Sequence, residues 1–172
     1  MGATRLTLAE FNALPPERAA EELLRCCGCA RWARAVAAQR PFASRDALVA
    51  AADREWSRTS RDEWRETMAH HPRIGGKDAL RAKFAATKGW SQGEQASVAA
   101  ADEATLDALA AGNAEYEKRH GFIFIVCATG RSADEMLALL TARLPNTTEQ
   151  ELAIAAGEQA KITRIRLEKL IP

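Results

Sequence analysis

A serine or threonine followed three positions later by glutamate recurs along this sequence, at Thr7 and Glu10, Ser60 and Glu63, Ser91 and Glu94, and Ser132 and Glu135. In the first turn of a helix this spacing lets the hydroxyl accept from the backbone amide three residues on, while the carboxylate returns to the cap's own amide. Each pair therefore marks a helix start. Alanine is abundant between the starts and β-branched residues are scarce, which favours helix over most of the length. Pro15-Pro16 introduces a helix from about Glu17 to Cys27, with Leu23 and Leu24 inward, and a short helix carrying Trp32 and Val36 follows. After the break at Pro41, Ser44 caps a helix whose Leu48, Val49, Ala52 and Trp56 form a core face. The helix from Ser60 runs through Trp64 and Met68 and is stopped by Pro72, which lacks a backbone donor. Further helices are expected over 78–88, from Ser91 to beyond Tyr116 with a bend near Gly112-Asn113, from Ser132 through Leu140, and from Thr148 to Ile171. The expected fold is all-α: a single-domain multi-helix bundle spanning 1–172.

One segment departs from this pattern. Residues 122–128, Phe-Ile-Phe-Ile-Val-Cys-Ala between Gly121 and Gly130, form a β-branched and aromatic run that local rules assign to a buried strand. No other segment reads as its partner, and a lone strand cannot satisfy its ladder groups. It is read either as a buried helix start or as a short extended piece whose amides and carbonyls are used otherwise, for example by a ligand.

Charge excludes several classes of function. Lys+Arg 24 against Asp+Glu 23 gives a formal net charge of +1, with no dense basic run to track a phosphate backbone, so neither nucleic acid nor a helix-turn-helix regulator is indicated. No apolar run approaches membrane-spanning length and no export leader is apparent, so the reading is a soluble cytoplasmic protein that takes a small molecule. Cys26, Cys27 and Cys29 lie together, with Cys127 far away; they lack the paired C-x-x-C spacing of structural zinc and read as small core residues. A helical metal-binding module built on them is the rival reading.

The polar residues with chemical potential are few. His70, His71 and His120 are the only histidines, and adjacent imidazoles lack the i, i+3 or i+4 spacing of a metal site, so no metal is assigned. His71 precedes Pro72 and is pushed out of helical geometry, which sets its imidazole between a helix and a stiff turn. As a bare pattern it reads equally as a polar helix terminator. Glu94 reads equally as the third helical residue of the Ser91 capping box, reaching back to the Ser91 amide. Arg166 follows Ile162 by four and lies between Ile165 and Leu167, beside the apolar face of the last helix, where a guanidinium needs a partner or recognises a planar, oxygen-rich ligand.

Taken in order, Cys26-Cys27-Gly28 with Arg31-Trp32, Arg40-Pro41-Phe42, Trp56, Ala69 to Gly75, Ser91 to Gln95, Gly121 to Ala128 and Ile165-Arg166-Leu167 resemble the 2-oxo-4-hydroxy-4-carboxy-5-ureidoimidazoline (OHCU) decarboxylases of urate degradation, nearly end to end. The resemblance implies an all-helical domain, a homodimer, no metal and no organic cofactor. It places the catalytic acid/base on His71 with Glu94 beside it. Substrate contacts fall on Pro72, Ser91 and Gln95, on Phe124, Ile125, Val126, Cys127 and Ala128, and on Arg166. The stretch between His71 and Ser91 is slightly longer than in some animal members, and Gly93 stands where a polar residue is common. A related ureido hydrolase, in which the same acid/base pair activates water, is the alternative enzyme.

Overall fold

The computed structural model describes residues 5–71, 78–81 and 95–172, apart from the side chains of 95–102. In chain order its helices are α1 (Leu8–Ala13), α2 (Pro16–Cys27), α3 (Ala30–Ala37), α4 (Arg45–Ser57), α5 (Arg61–Ala69), α6 (Gln95–His120), α7 (Ala133–Arg143) and α8 (Thr148–Leu170). Residues 78–81 are also helical, and no strand occurs among the described residues. The chain is all-α, as its capping pattern predicts. Thr7, Ser60 and Ser132 each form the reciprocal box, with the hydroxyl 3.2 Å from the third amide and the glutamate 2.7 Å from the cap amide. Ser44 caps α4 through the Ala47 amide. Thr147 and Gln150 make a further box ahead of α8, while Ser91 and Glu94 lie outside the described residues.

The helices form two compact units, one running up to His71 and resuming at Leu152, the other ending at Glu151. In the first unit α2 buries Ala19, Glu22, Leu23, Cys26 and Cys27, a stripe at helical spacing. Leu24 lies off that stripe and is 40% exposed, contrary to the inward position expected. Val49 is likewise only half-buried; the face α4 buries is Leu48, Ala51, Ala52, Glu55 and Trp56. Two indoles tie the helices together, because a buried N–H needs an acceptor: Trp32 donates to the Ala52 carbonyl at 2.9 Å and Trp56 to the Ala156 carbonyl at 3.0 Å. Arg40 closes the ends of α1 and α3 by donating to the carbonyls of Phe11, Leu14 and Ala37, groups that helix termini leave without internal partners.

In the second unit α6 packs on α7. The bend expected near Gly112-Asn113 does not break α6, which continues to His120. Gly112 serves packing instead: a Cβ there would lie 2.7 Å from Leu140 Cδ2. Residues 123–128 are neither helix nor strand. Phe122 and Ile125 are buried and the intervening residues half-buried, a spacing of three rather than the alternation of a sheet. Of the two readings left open, the non-helical one holds. Among the described residues no helix is long and apolar enough to cross a membrane.

Candidate active site

The histidine turn is set by what holds α5 and by what ends α2. Arg31 donates to Glu63 at 2.5 Å and to the Arg58 carbonyl at 2.8 Å, gripping the capping box that opens α5. At the other end, His70 and His71 bond back to the carbonyls of Thr67 and Met68, both at 3.2 Å, so α5 closes in a tightened turn three residues before Pro72. Gly28 ends α2 in the left-handed conformation, φ +84°, and a Cβ there would stand 3.3 Å from His70 Cβ. Glycine at this site thus meets two demands at once, a positive φ and a close approach by the turn that carries the imidazole.

His71 is half-buried, and its Nε2 is hydrogen-bonded to Gln159 Oε1. Gln159 is 0% exposed, and its amide nitrogen donates to Thr163 Oγ1 at 3.1 Å. Burial holds the imidazole below its ordinary pKa; the bond to Gln159 opposes this, and the charges of Arg166 and His70 add to it. The ring is therefore neutral near pH 7, the state in which an imidazole can take up a proton.

Arg166, on α8, is half-buried as well. Its Nη1 donates to the Cys26 carbonyl at 3.2 Å, in the last turn of α2, where carbonyls lack helical partners. Among the described residues the rest of its fork has no hydrogen-bond partner, which leaves guanidinium donors available to a planar acceptor. The thiols next to it are poor nucleophiles. Burial pushes Cys26 up to about 11, against the pull of Arg166, and Cys27 up to about 12, against the Thr163 hydroxyl. Cys26, Cys27 and Cys29 are buried free thiols, consistent with core packing, and no group of residues suited to hold a metal occurs among the described residues.

In the second unit, the segment 124–128 is braced by arginines. Arg143, 8% exposed, donates to the Ile125 carbonyl at 2.8 Å and stacks 4.6 Å from the centre of the Phe124 ring. It also pairs with Glu151 at 2.8 Å, and that carboxylate accepts in addition from Tyr116 and Asn146. Arg131 donates to the Cys127 carbonyl at 3.2 Å. The amides of Phe124, Ile125 and Val126 have no acceptor among the described residues, so these three backbone donors are open to a ligand or to water.

Of the site residues read from the sequence, His71 and Arg166 share the first unit, close enough for the guanidinium charge to act on the imidazole. Phe124, Ile125, Val126, Cys127 and Ala128 belong to the second. Pro72, Ser91 and Glu94 lie outside the described residues, as does the side chain of Gln95, the first residue of α6. Sequence reasoning missed Gln159 and Thr163. Their spacing from Arg166, seven and three residues back, was the available signal, since it sets three polar groups on one face of α8.

Comparison with known proteins follows the same lines. The family model described as OHCU decarboxylase matches residues 12–168. The uric acid degradation bifunctional protein TTL of Arabidopsis thaliana is 38% identical over 148 residues, covering 84% of this chain and 45% of the plant protein. The 2-oxo-4-hydroxy-4-carboxy-5-ureidoimidazoline decarboxylase of Amia calva is 36% identical over 106 residues, covering 59% of this chain and 57% of that protein. The chain thus spans about half the length of these two relatives. A crystal structure of an OHCU decarboxylase in the presence of (S)-allantoin superposes with a TM-score of 0.70 at 33% identity, covering 87% of this chain and 96% of that one.

Proposed function

The chain belongs to the OHCU decarboxylase family, and from that premise we propose that it decarboxylates 2-oxo-4-hydroxy-4-carboxy-5-ureidoimidazoline to (S)-allantoin in urate degradation. The observation that carries this reading is the family match over residues 12–168, which takes in both units and leads us to treat 1–172 as one domain. The half-buried neutral imidazole of His71, with Arg166 acting on it, supports it chemically.

In the substrate, the carbon that loses its carboxylate carries a hydroxyl and adjoins a ring C=N. When the bond to carbon dioxide breaks, its electron pair flows into that imine, so the ring supplies the sink that a pyridoxal or thiamine cofactor provides elsewhere. No cofactor or metal is called for. The imine nitrogen takes up a proton with that pair; collapse of the resulting enol to the ring's amide carbonyl then releases the hydroxyl proton, and one proton is delivered to the adjacent ring carbon. His71 takes the hydroxyl proton and steadies the oxygen as charge develops; Glu94 orients the imidazole or the substrate. Arg166 grips carbonyl or ureido oxygens that persist into the transition state. Were it to clamp the departing carboxylate instead, it would stabilise the ground state and slow the loss of carbon dioxide. By the family resemblance Ser91, Gln95 and Pro72 contact the substrate, as does the segment 124–128, in which the amides of Phe124, Ile125 and Val126 have no acceptor among the described residues.

The enzyme is read as a cytoplasmic homodimer, which sedimentation of the purified chain would check. The activity test generates the unstable intermediate in situ from urate with the two upstream enzymes, adds this protein and follows circular dichroism. Rapid formation of dextrorotatory allantoin with release of carbon dioxide is expected. Racemic product at the spontaneous rate would refute the assignment, and turnover without carbon dioxide would point to a hydrolase.

A further inference from the structure

We propose that Gln159 is a positioning residue that fixes His71 as the Nε2–H tautomer, leaving Nδ1 as the nitrogen that exchanges protons with substrate. The argument starts from donor and acceptor count. A neutral imidazole has one N–H and one lone pair, and which nitrogen carries which is set by the partner on either side. Gln159 is wholly buried, so water cannot compete for its amide. Its nitrogen is directed at Thr163 Oγ1, 3.1 Å away, which turns its oxygen toward His71 Nε2. An oxygen facing Nε2 accepts, so that nitrogen must donate. The Thr163 hydroxyl, also buried, keeps an oxygen lone pair for Gln159 whichever way its own hydrogen turns.

The helix contributes the rigidity. Gln159 and Thr163 are four residues apart on α8, one turn, and Arg166 follows by three on the same side. One regular helix therefore delivers the acceptor that sets the imidazole's tautomer, the hydroxyl that sets the acceptor, and the guanidinium that disfavours the imidazolium. Among the described residues Arg166 and His70 are the charged or titratable groups that act on His71, and both favour its neutral form. A neutral acceptor suits this task better than a carboxylate, which would hold the ring protonated and remove its basic nitrogen. The role rests on His71 being the acid/base group of the proposed reaction.

The test reads the tautomer directly. The full chain is labelled with 15N-histidine, and ring nitrogen shifts are recorded by two-dimensional NMR near pH 8, with His71 identified by the signals lost in His71→Asn. A single Nε2–H tautomer is expected in the native protein. In Gln159→Leu the ring should populate both tautomers, and kcat should fall roughly tenfold, the scale of one hydrogen bond of ordinary strength, with little change in KM. In Gln159→Glu, which keeps the acceptor and the shape, the Nε2–H form should return while the His71 titration and the acid limb of the rate profile both move to higher pH. Either of two results overturns the proposal: an Nδ1–H ring in the native protein, or an unmoved tautomer in a folded Gln159→Leu. Failure of the functional reading looks different: the native protein would then give racemic product at the spontaneous rate, or His71→Ala would leave decarboxylation intact, whatever the tautomer.

Discussion

Replacing Arg143 with methionine should destabilise the protein by about 3 kcal/mol, because it leaves a wholly buried carboxylate without its countercharge. Glu151 is 0% exposed and Arg143 pairs with it at 2.8 Å; the same guanidinium serves the Ile125 carbonyl and the face of Phe124. Breaking a buried pair by removing one partner typically costs ~3–5 kcal/mol. The lower end applies, since Glu151 keeps Tyr116 at 2.5 Å and Asn146 at 2.7 Å. For a chain of this length the loss corresponds to a fall in Tm of roughly 6–12 °C. Urea unfolding followed by far-UV circular dichroism should show a lower midpoint at unchanged slope. The double variant with Glu151→Gln should recover part of the loss, giving a coupling energy of about 1–3 kcal/mol. The pair also sets the acid limit. Burial works to raise the Glu151 carboxyl, but the bonds from Arg143, Tyr116 and Asn146 together outweigh it and hold the group below its ordinary value. A depressed carboxyl lends stability above its unfolded pKa of about 4.3, and that stability disappears as pH falls through the lower folded value. Acid unfolding should therefore be shallower in the double variant. A loss under about 1 kcal/mol in Arg143→Met, or coupling near zero, would refute the argument.

The remaining predictions test the site and the packing. His71→Ala should cut kcat by ~10²- to ~10⁴-fold with helical content unchanged, measured with the intermediate generated in situ; wild-type turnover would remove His71 from the reaction. Because the folded His71 pKa is lowered, the unfolded chain binds more protons between the folded value and about 6.5, so its contribution to stability is fully present above ~6.5 and is lost as pH falls toward the folded value. kcat/KM should show its acid limb in that same window. Gly28→Ala should cost about 1–2 kcal/mol, from φ +84° and the 3.3 Å approach to His70 Cβ, and should lower kcat by displacing the turn; thermal melts and kinetics on one preparation would show both. Gly112→Ala should destabilise by about 1 kcal/mol, since crowding of Leu140 exceeds the gain in helix propensity, whereas Gly157→Ala, with nothing within 4 Å of the new Cβ, should stabilise by ~0.5–1 kcal/mol. Equal effects of the two alanines would mean that propensity alone governs them.

Helix starts were legible because a capping box is local. Thr7, Ser60 and Ser132 need only a glutamate three residues away, and each forms the bond its spacing predicts. The facing of a helix is less local. Leu24 and Leu23 are equivalent by hydrophobicity, yet only Leu23 falls on the stripe that α2 turns inward, and the stripe is chosen by what packs against it. The segment 122–128 defeated local rules for the same reason. Its composition favours a strand, but with no partner strand among the described residues its Ile125 and Cys127 carbonyls go to Arg143 and Arg131 instead. The resemblance named His71 and Arg166 as site residues, while Gln159 passed unnoticed because a buried glutamine declares itself only through its partner, 88 residues away in sequence.

The sequence alone therefore determined the all-α class, most helix boundaries, and the placing of an imidazole just past the end of a helix, all of which depend on contacts within a few residues. Tertiary structure decided which nitrogen of that imidazole is engaged, which carbonyls the arginines claim, and why residues 28 and 112 favour glycine. Those outcomes require groups far apart in the chain to meet, and the energies that select them arise from burial and from the pairing of polar atoms withdrawn from water.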